Sequence, residues 1–436
     1  MAKTILLKHA SLIMEDADCL MDRNLYVADG KIAKITEASA DDGSLRADET
    51  IDCSCFYVSC GMVNLHAHMA MNIFKGIAED VTSDAWFNEM IFPYESKMTD
   101  EDVYLGTKLA IAEMIGNGIT AVADHYFGEE QVLKAVKETG IRGDISPTIF
   151  GSMPGFEERL EGVKDFIEAH RNDSDRVAFR IGPHADYTCP PDTLEKMVQA
   201  ARDLDLPMHL HLADAKDTNR TSMERYGKTT GQILKETGVL DMRVLFGHGL
   251  WMDEDVAENL TDRIWFAFCP KTYMKMALGH GSFWKHRSKV QFGFGTDGGA
   301  SSNTLNTVEQ ARMYALAGKY TTDDPTDFTV QEVWKHLTAG HKAFSFGTGS
   351  LKEGAPADLV IWDLNAPDTY PVYHPVTAIL YSANSSNVRY TMVGGEFLKR
   401  EGRLTMDVDT LLSDVRRAQK DLLARGKGKA NVTFLK

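Results

Sequence analysis

A (β/α)8 or TIM barrel, an α/β fold, carrying a small β-sandwich domain built from both ends of the chain, is the architecture this sequence predicts. Three observations carry the expectation. Apolar strand-like runs alternate with segments of helical period over about 290 residues, the pattern of parallel β structure. Eight such runs can be counted, and eight parallel units close into a barrel; a doubly wound open sheet is the alternative. Both ends of the chain, by contrast, read as strands without intervening helices. The expected boundaries are 1–58 and 355–436 for the sandwich and 59–354 for the barrel.

The elements follow in order. "TILLKHASLIM" and "NLYVADGKIAKITEA" are strands, the second turning at Asp29-Gly30 between alternating apolar residues. "ETIDCSCFYVSCGMV" leads into the first barrel run, "MVNLHAH". "TAVADHY", the weaker "IRGDISPTIF", "VAFRIGPH", "PMHLHLAD", "RVLFGHG", "IWFAFCP" and "VQFGFGTD" complete the eight. Between them, "TDEDVYLGTKLAIAEMIGNG" and "PDTLEKMVQAARDLD" place apolar residues at helical spacing behind capping residues. "ADLVIWDL" and "VRYTMVGGEFLKREGRL" return to strand, the latter turning at Gly394-Gly395.

Bulk properties narrow the function. A length of 436 residues suits one large domain plus a smaller one. The formal net charge of −16 argues against nucleic acid or an anionic membrane surface as partner. Six cysteines in so long a chain make no disulfide framework, and Cys53, Cys55 and Cys60 are read as strand thiols. Charge arrives too early at the N-terminus for a signal sequence, and no apolar run spans a membrane, so a cytoplasmic protein is expected. A homo-oligomer is compatible with a barrel of this size.

The chemistry gathers at strand ends. His66 and His68, His184, His209 and His211, His248, and Asp297 all stand where the proposed strands finish. In a parallel barrel those ends share one face, the face that carries active sites. Residues i and i+2 of a strand project to one side, so His66 and His68 can grip one cation together. His209 and His211 alternate with Leu210; either can point inward, but not both at one depth. "GFGTDG", Gly293 to Gly298, fits a dinucleotide loop in letters only, since it lies on the last strand rather than opening a first βαβ unit. Glu113, on the helix after the first barrel strand, is read as a buried polar residue without a role.

Taken together, "HAH", "GPHADYTC", "HLHLAD", "FGHGLWMDE", "FGTDGGASSN" and "GSLKEGAPADLVIWD" resemble the amidohydrolase superfamily, in particular its cytosine-deaminase-like branch. That branch includes guanine deaminase, adenosylhomocysteine and methylthioadenosine deaminases, and triazine hydrolases. The resemblance spans nearly the whole chain. It implies one divalent metal ion held by His66, His68, His211 and Asp297, with His248 beside the water the ion activates. Trp86 and Glu95, in "SDAWFNEMIFPYESK", and His184 match positions that line the family's substrate pocket. Three imidazoles and a carboxylate suit zinc, and ferrous iron is compatible. Asp297 can accept the water's proton, and His248 can hydrogen-bond the nucleophile. An amidine carbon becomes electrophilic only once its ring nitrogen is protonated, and Asp214 is the acid for that step; the plainer alternative is that it only orients His211.

Three departures from the family pattern matter. Asp214 stands where glutamate is usual. "FCPKTYMKM" replaces a segment like "HNPxSNxKL", with Phe268 for histidine and Tyr273 for asparagine. "SPTIFGSMPG" lacks the arginine of adenosine-type relatives. Phe268 and Tyr273 are expected to narrow the pocket mouth, favouring a compact heterocycle without a sugar. The expected activity is hydrolytic deamination of a small cyclic amidine or guanidine: a purine, pyrimidine, triazine or creatinine-like ring. Dechlorination of a triazine or opening of a cyclic amide at the same site is the runner-up. A catalytically silent binding protein comes third, because all four ligands are present.

Overall fold

The computed structural model describes residues 3–40, 46–430 and 432. Positions 1, 2, 41–45, 431 and 433–436 of the expected terminal domain lie outside the described residues. The strands are β1 (Ile5–Ile13), β2 (Cys19–Ala28), β3 (Lys31–Glu37), β4 (Glu49–Asp52), β5 (Tyr57–Cys60) and β6 (Met62–His68). Next come β7 (Ile119–Tyr126), β8 (Arg142–Ile149), β9 (Val177–Phe179), β10 (Gly182–Pro183), β11 (Met208–Leu212), β12 (Val244–His248) and β13 (Ile264–Phe268). β14 (Phe292–Phe294), β15 (Asp297–Gly298), β16 (Leu359–Trp362), β17 (Val388–Val393), β18 (Glu396–Arg400) and β19 (Arg403–Leu404) complete the chain.

Parallel pairing runs from β15 through β6, β7 and β8 to β10, with β9 also against β8. A second parallel run joins β11, β12, β13 and β14. Parallel bridges Ile181↔Met208 and Ala185↔His211 connect the two runs on one side. On the other, β14 and β15 are two pieces of one extended segment, the first paired with β13 and the second with β6. The pairings therefore form a barrel-like ring. Val63, Leu65, Ala121, Ala123, Leu245, Trp265 and Ala267 pack across it, with Phe344. The β6–β7 pairing shifts register between Asn64 and Ala67, where this apolar floor gives way to His66 and His68.

Helices form where the spacing predicts. α1 (Asp100–Gly116) starts at a capping box in which Thr99 and Asp102 exchange side-chain and backbone hydrogen bonds. α2 (Pro191–Asp203) has proline in its first turn, where the missing N–H costs nothing. Glu113 on α1 accepts from the Leu305 N–H and from the side chains of Asn72 and Lys75, so it ties loops above the ring.

Strands from both ends of the chain hydrogen-bond into one nine-stranded sheet, ordered β19-β18-β17-β16-β5-β1-β2-β3 with β4 beside β1. Its core contains Ile5, Leu7, Leu25 and Val58 together with Leu359, Ile361 and Met392. Hydrogen bonding thus makes one continuous sheet where the sequence suggests two layers. The sheet is riveted to the ring by Arg142 of β8, whose guanidinium donates to both oxygens of Asp358 at 2.7 and 3.0 Å. Asp358 also accepts the Gly394 N–H at 2.8 Å, which fixes the β17–β18 turn.

Both charges of this pair are buried, so deleting one strands the other in an apolar surround. Asp358→Ala is expected to cost about 3–5 kcal/mol of stability, the usual penalty for breaking a buried ion pair. Denaturant unfolding checks this; a loss below about 1 kcal/mol, typical of an exposed pair, contradicts it.

Candidate metal centre and active site

The strand ends bring His66, His68, His184, His211, His248 and Asp297 together. The rings of His66 and His68 meet edge to face at 4.8 Å, and those of His211 and His248 lie 4.9 and 5.1 Å from His66. His68 Nδ1–H donates to the His125 carbonyl at 2.6 Å, and His211 Nδ1–H to the His184 carbonyl at 2.7 Å. Each ring is thereby fixed as the tautomer whose Nε2 carries a lone pair. Those two Nε2 atoms face each other at 3.1 Å, and His68 Nε2 lies 3.3 Å from Asp297 Oδ1.

His66 completes the set. Its Nε2 is buried without a hydrogen-bond partner among the described residues, 4.0 Å from Asp297 Oδ1, while its Nδ1 meets His209 Nε2 at 2.9 Å. A lone pair at His66 Nε2 needs the ring proton on Nδ1, which then donates to His209. That places the His209 proton on Nδ1, against Ser146 Oγ at 3.1 Å. His209 therefore sits one layer below the metal ligands and orients one of them, which answers the ambiguity between it and His211.

This donor set fits a divalent ion. Zinc–nitrogen bonds of ~2.0–2.1 Å put tetrahedral donors roughly 3.3 Å apart, close to the spacings found. Ligand atoms of His66, His68 and His211 lie within 4.8 Å of one another, and so do those of His66, His248 and Asp297. Burial, reinforced by repulsion among the rings, holds His66 and His211 well below the ordinary histidine pKa, so both are neutral as ligation requires. Burial resists charge on Asp297, but His68, His248 and Ser301 outweigh it and keep the carboxylate ionised. The Ser301 hydroxyl donates to Asp297 Oδ2 at 2.8 Å, leaving Oδ1 toward the imidazoles.

Three of these strand ends are strained. Ala213, His248 and Asp297 have φ of 45°, 75° and 59°, the left-handed region that residues with a Cβ avoid. Gly247, just before His248, has no such φ but cannot carry a Cβ, which would lie 2.9 Å from the His66 ring.

Asp214 is surrounded by other groups than the ligands. Its Oδ1 is buried without a partner among the described residues, and Oδ2 accepts a long 3.4 Å bond from the Tyr187 hydroxyl. Burial raises its pKa, and the nearby His248 only partly offsets that. His211 makes no hydrogen bond to it, since Nδ1 goes to His184, so the orienting alternative finds no support in the geometry. Asp186, on the neighbouring loop, is pushed up to about 7 by burial and by Asp214. His184 stacks on Phe150 at 4.2 Å, and burial lowers its pKa to about 3.

Phe268 requires a correction. Its ring does not reach a pocket mouth: it is fully buried in an aromatic cluster, stacked on Phe283 at 4.1 Å and edge-on to Trp284, Phe292 and Tyr314. The alternation of β13 sends Trp265 and Ala267 across the ring and Phe266 and Phe268 outward. Tyr273 is also buried; its hydroxyl accepts the Cys269 N–H at 2.9 Å and meets His248 Nδ1 at 3.3 Å. It supports His248 and does not narrow an entrance.

Glu95 and Trp86 lie on the segment after β6. The Tyr126 hydroxyl donates to Glu95 Oε1 at 2.5 Å, and Tyr126 lies 6.1 Å from the His68 ring. Burial raises the Glu95 pKa. Trp86 opens a π-helical turn, Trp86–Ile91, and its indole N–H is buried with no partner among the described residues. Sequence reasoning passed over Tyr126, Ser146, Asp186 and Tyr187. "TAVADHY" offers a signal for the first, because it ends on polar residues at the same face as the ligands. Ser146, inside a strand, offers none.

Metal content follows from this arrangement. His66→Ala and His68→Ala are expected to lose both ion and activity, measured by elemental analysis beside turnover. His209→Phe is expected to keep the fold but weaken metal affinity about 10–100-fold, the usual effect of removing a ligand's supporting hydrogen bond. Full activity in a metal-free His66→Ala protein contradicts the assignment.

Comparison with known proteins agrees with the site. Residues 57–398 match the model of the Amidohydrolase family. A 5-methylthioadenosine/S-adenosylhomocysteine deaminase of Desulforudis audaxviator is 34% identical over 92% of this chain and 95% of its own length. A 5'-deoxyadenosine deaminase of Methanosarcina mazei is 32% identical, covering 97% of this chain and 99% of that protein. The crystal structure of an adenosine deaminase from Xanthomonas campestris with bound zinc superposes with a TM-score of 0.91 at 26% identity, covering 96% and 98% of the two chains. With its family-matched barrel and its strand-end histidines and aspartate, this chain belongs to the amidohydrolase family.

Proposed function

We propose that this protein is a metal-dependent aminohydrolase that releases ammonia from the adenine ring of a nucleoside altered at its 5' position. The observation that carries the reading is the meeting of His66, His68, His211 and Asp297 beside a buried acid, Asp214, whose pKa is raised. The relatives' names supply the substrate class. The expectation of a sugar-free heterocycle rested on Phe268 and Tyr273 at the mouth, and the burial of both removes that ground.

His66, His68, His211 and Asp297 would hold the ion, most suitably zinc. When bound, such an ion lowers the pKa of water toward ~7 and so supplies hydroxide at neutral pH. Asp297 accepts the water's proton on a carboxylate kept ionised by its neighbours. His248, braced by Tyr273, hydrogen-bonds the attacking oxygen as the substrate carbon becomes tetrahedral. Asp214 donates its proton to the ring nitrogen, which makes the amidine carbon electrophilic and keeps that proton in the product; the proton held by Asp297 passes to the departing amine, and the hydroxyl proton of the tetrahedral centre returns to Asp214 as the carbonyl forms. Two carboxyl groups pushed in opposite directions by their surroundings are what acid–base division of labour needs. Trp86, with an unpartnered indole N–H, Glu95 and His184 offer polar contacts to the rest of the substrate. The terminal segments, 1–58 and 355–436, would act as one domain supporting the barrel of 59–354.

The direct test is ammonia release by zinc-loaded protein from 5'-deoxyadenosine, 5'-methylthioadenosine, adenosylhomocysteine, guanine and a chlorotriazine. Deamination of the first three is expected. Turnover of the chlorotriazine alone, with chloride released, overturns the reading in favour of its runner-up.

The roles separate in mutants. His248→Ala is expected to retain metal and lose about 10²-fold or more in kcat. Asp214→Asn is expected to abolish deamination with metal retained. Asp214→Glu restores the longer side chain and is expected to keep measurable activity. Full activity in Asp214→Asn contradicts the acid role.

A further inference from the structure

We propose that the stretch Gly426 to Ala430 is a strap that positions Trp86 and Glu95, and so sets affinity for substrate; this rests on the reading of those two residues as substrate contacts. The segment carrying them has little structure of its own. Between Lys75 and Asp100 it forms only a three-residue turn at Ser83–Ala85, the π-helical turn Trp86–Ile91 and one short helix, Phe92–Glu95. Phe87 and Phe92 are exposed on it, and its buried contacts are made by Met90, Ile91 and Tyr94 around the turn. Segments with few buried contacts open at low free energy unless something outside holds them.

The holding contacts come from the far end of the chain. α3 (Val408–Arg425) lies against α1, where Arg417 pairs with Glu101 at 2.9 Å and Arg425 pairs with Asp102. Beyond the helix, the backbone crosses the ring of Tyr94, the neighbour of Glu95. The Tyr94 hydroxyl donates to the Gly428 carbonyl at 2.7 Å. The Lys429 N–H donates to the Glu89 carbonyl at 2.8 Å, in the turn that Trp86 opens. Lys429 Nζ adds a contact to Glu89 Oε2 at 2.9 Å, which is exposed and contributes little.

Two glycines make this crossing feasible. A Cβ on Gly426 would lie 2.2 Å from Tyr94 Cδ1, and one on Gly428 would lie 2.3 Å from Tyr94 Cε2 and 2.9 Å from the Glu89 carbonyl oxygen. Tyr94 cannot yield cheaply, since it is buried. Any side chain at either position must lift the strap or tilt the ring next to Glu95. The strap touches none of the metal ligands, so its effect belongs in binding rather than in chemistry.

The test compares the intact protein with Gly428→Ala and with a form ending at Arg425, each with zinc content confirmed. Expected results are faster hydrogen exchange over residues 84–98 and a KM for 5'-deoxyadenosine raised roughly tenfold, with kcat within about threefold, the signature of lost uniform binding. Unchanged exchange over 84–98 in both forms overturns the strap. Glu95→Gln separates the two claims. A raised KM there beside an unchanged KM in Gly428→Ala refutes the strap and spares the site reading. An unchanged KM in Glu95→Gln refutes Glu95 as a substrate contact, and exchange alone then decides for or against the strap.

Discussion

Everything at the site depends on how the first and last strands of the ring are joined. Asn64 of β6 accepts the Thr296 N–H at 3.0 Å and donates to Thr296 Oγ1 at 2.7 Å, deep between the two strands. Thr296 N–H also reaches the His66 carbonyl at 3.0 Å. This junction fixes the register that pairs Asp297 with Ala67 and Gly298 with His68. Residues more than two hundred positions apart are thereby set side by side, the imidazoles on one strand and the carboxylate on the next. A slip of one residue would turn Asp297 to the opposite face of its strand and leave three histidines with no counter-charge.

Burial then differentiates the groups so assembled. His66, His209 and His211 lose their charge because desolvation penalises it and neighbouring rings repel it, whereas Asp297 pulls His68 the other way. Asp297 keeps its charge because His68 and Ser301 address it directly, whereas Asp214 has only a long bond from Tyr187 and a bare second oxygen. The same residue type thus acquires opposite tendencies, from the different hydrogen bonds and charges that face each carboxyl. The buried ion pair of Arg142 and Asp358 works on another scale, tying the ring to the sheet that both chain ends build.

Much of this was legible in the sequence because it rests on short-range rules. Period-two alternation placed His66 and His68 on one side, and the alternation of strands with helical segments placed all such ends on one face. The resemblance named the four candidate ligands, which the fold brings together. Two kinds of feature were not legible. Which way Phe268 points depends on the phase of β13 within the ring, and a large ring reads alike in a pocket or in the core behind it. Ser146 takes part through a contact made across the fold, with His209, and no local pattern marks it; Tyr126 ends a strand run on the ligand face, but its bond to Glu95 is equally long-range. The terminal strands share one hydrogen-bonded sheet, and strand patterning reports a buried face but not how such a sheet is folded about it.

The left-handed backbone at Ala213, His248 and Asp297 has a consequence for the evolvability of this protein. Such conformations cost on the order of 1–3 kcal/mol each, so selection for stability alone would press on all three positions. At His248 and Asp297 the relieving substitution, glycine, deletes the functional group. At Ala213 it deletes only a methyl. The chain therefore keeps one place where robustness can be gained without altering chemistry and two where it cannot, and lineages descending from it should drift at the first while standing still at the others.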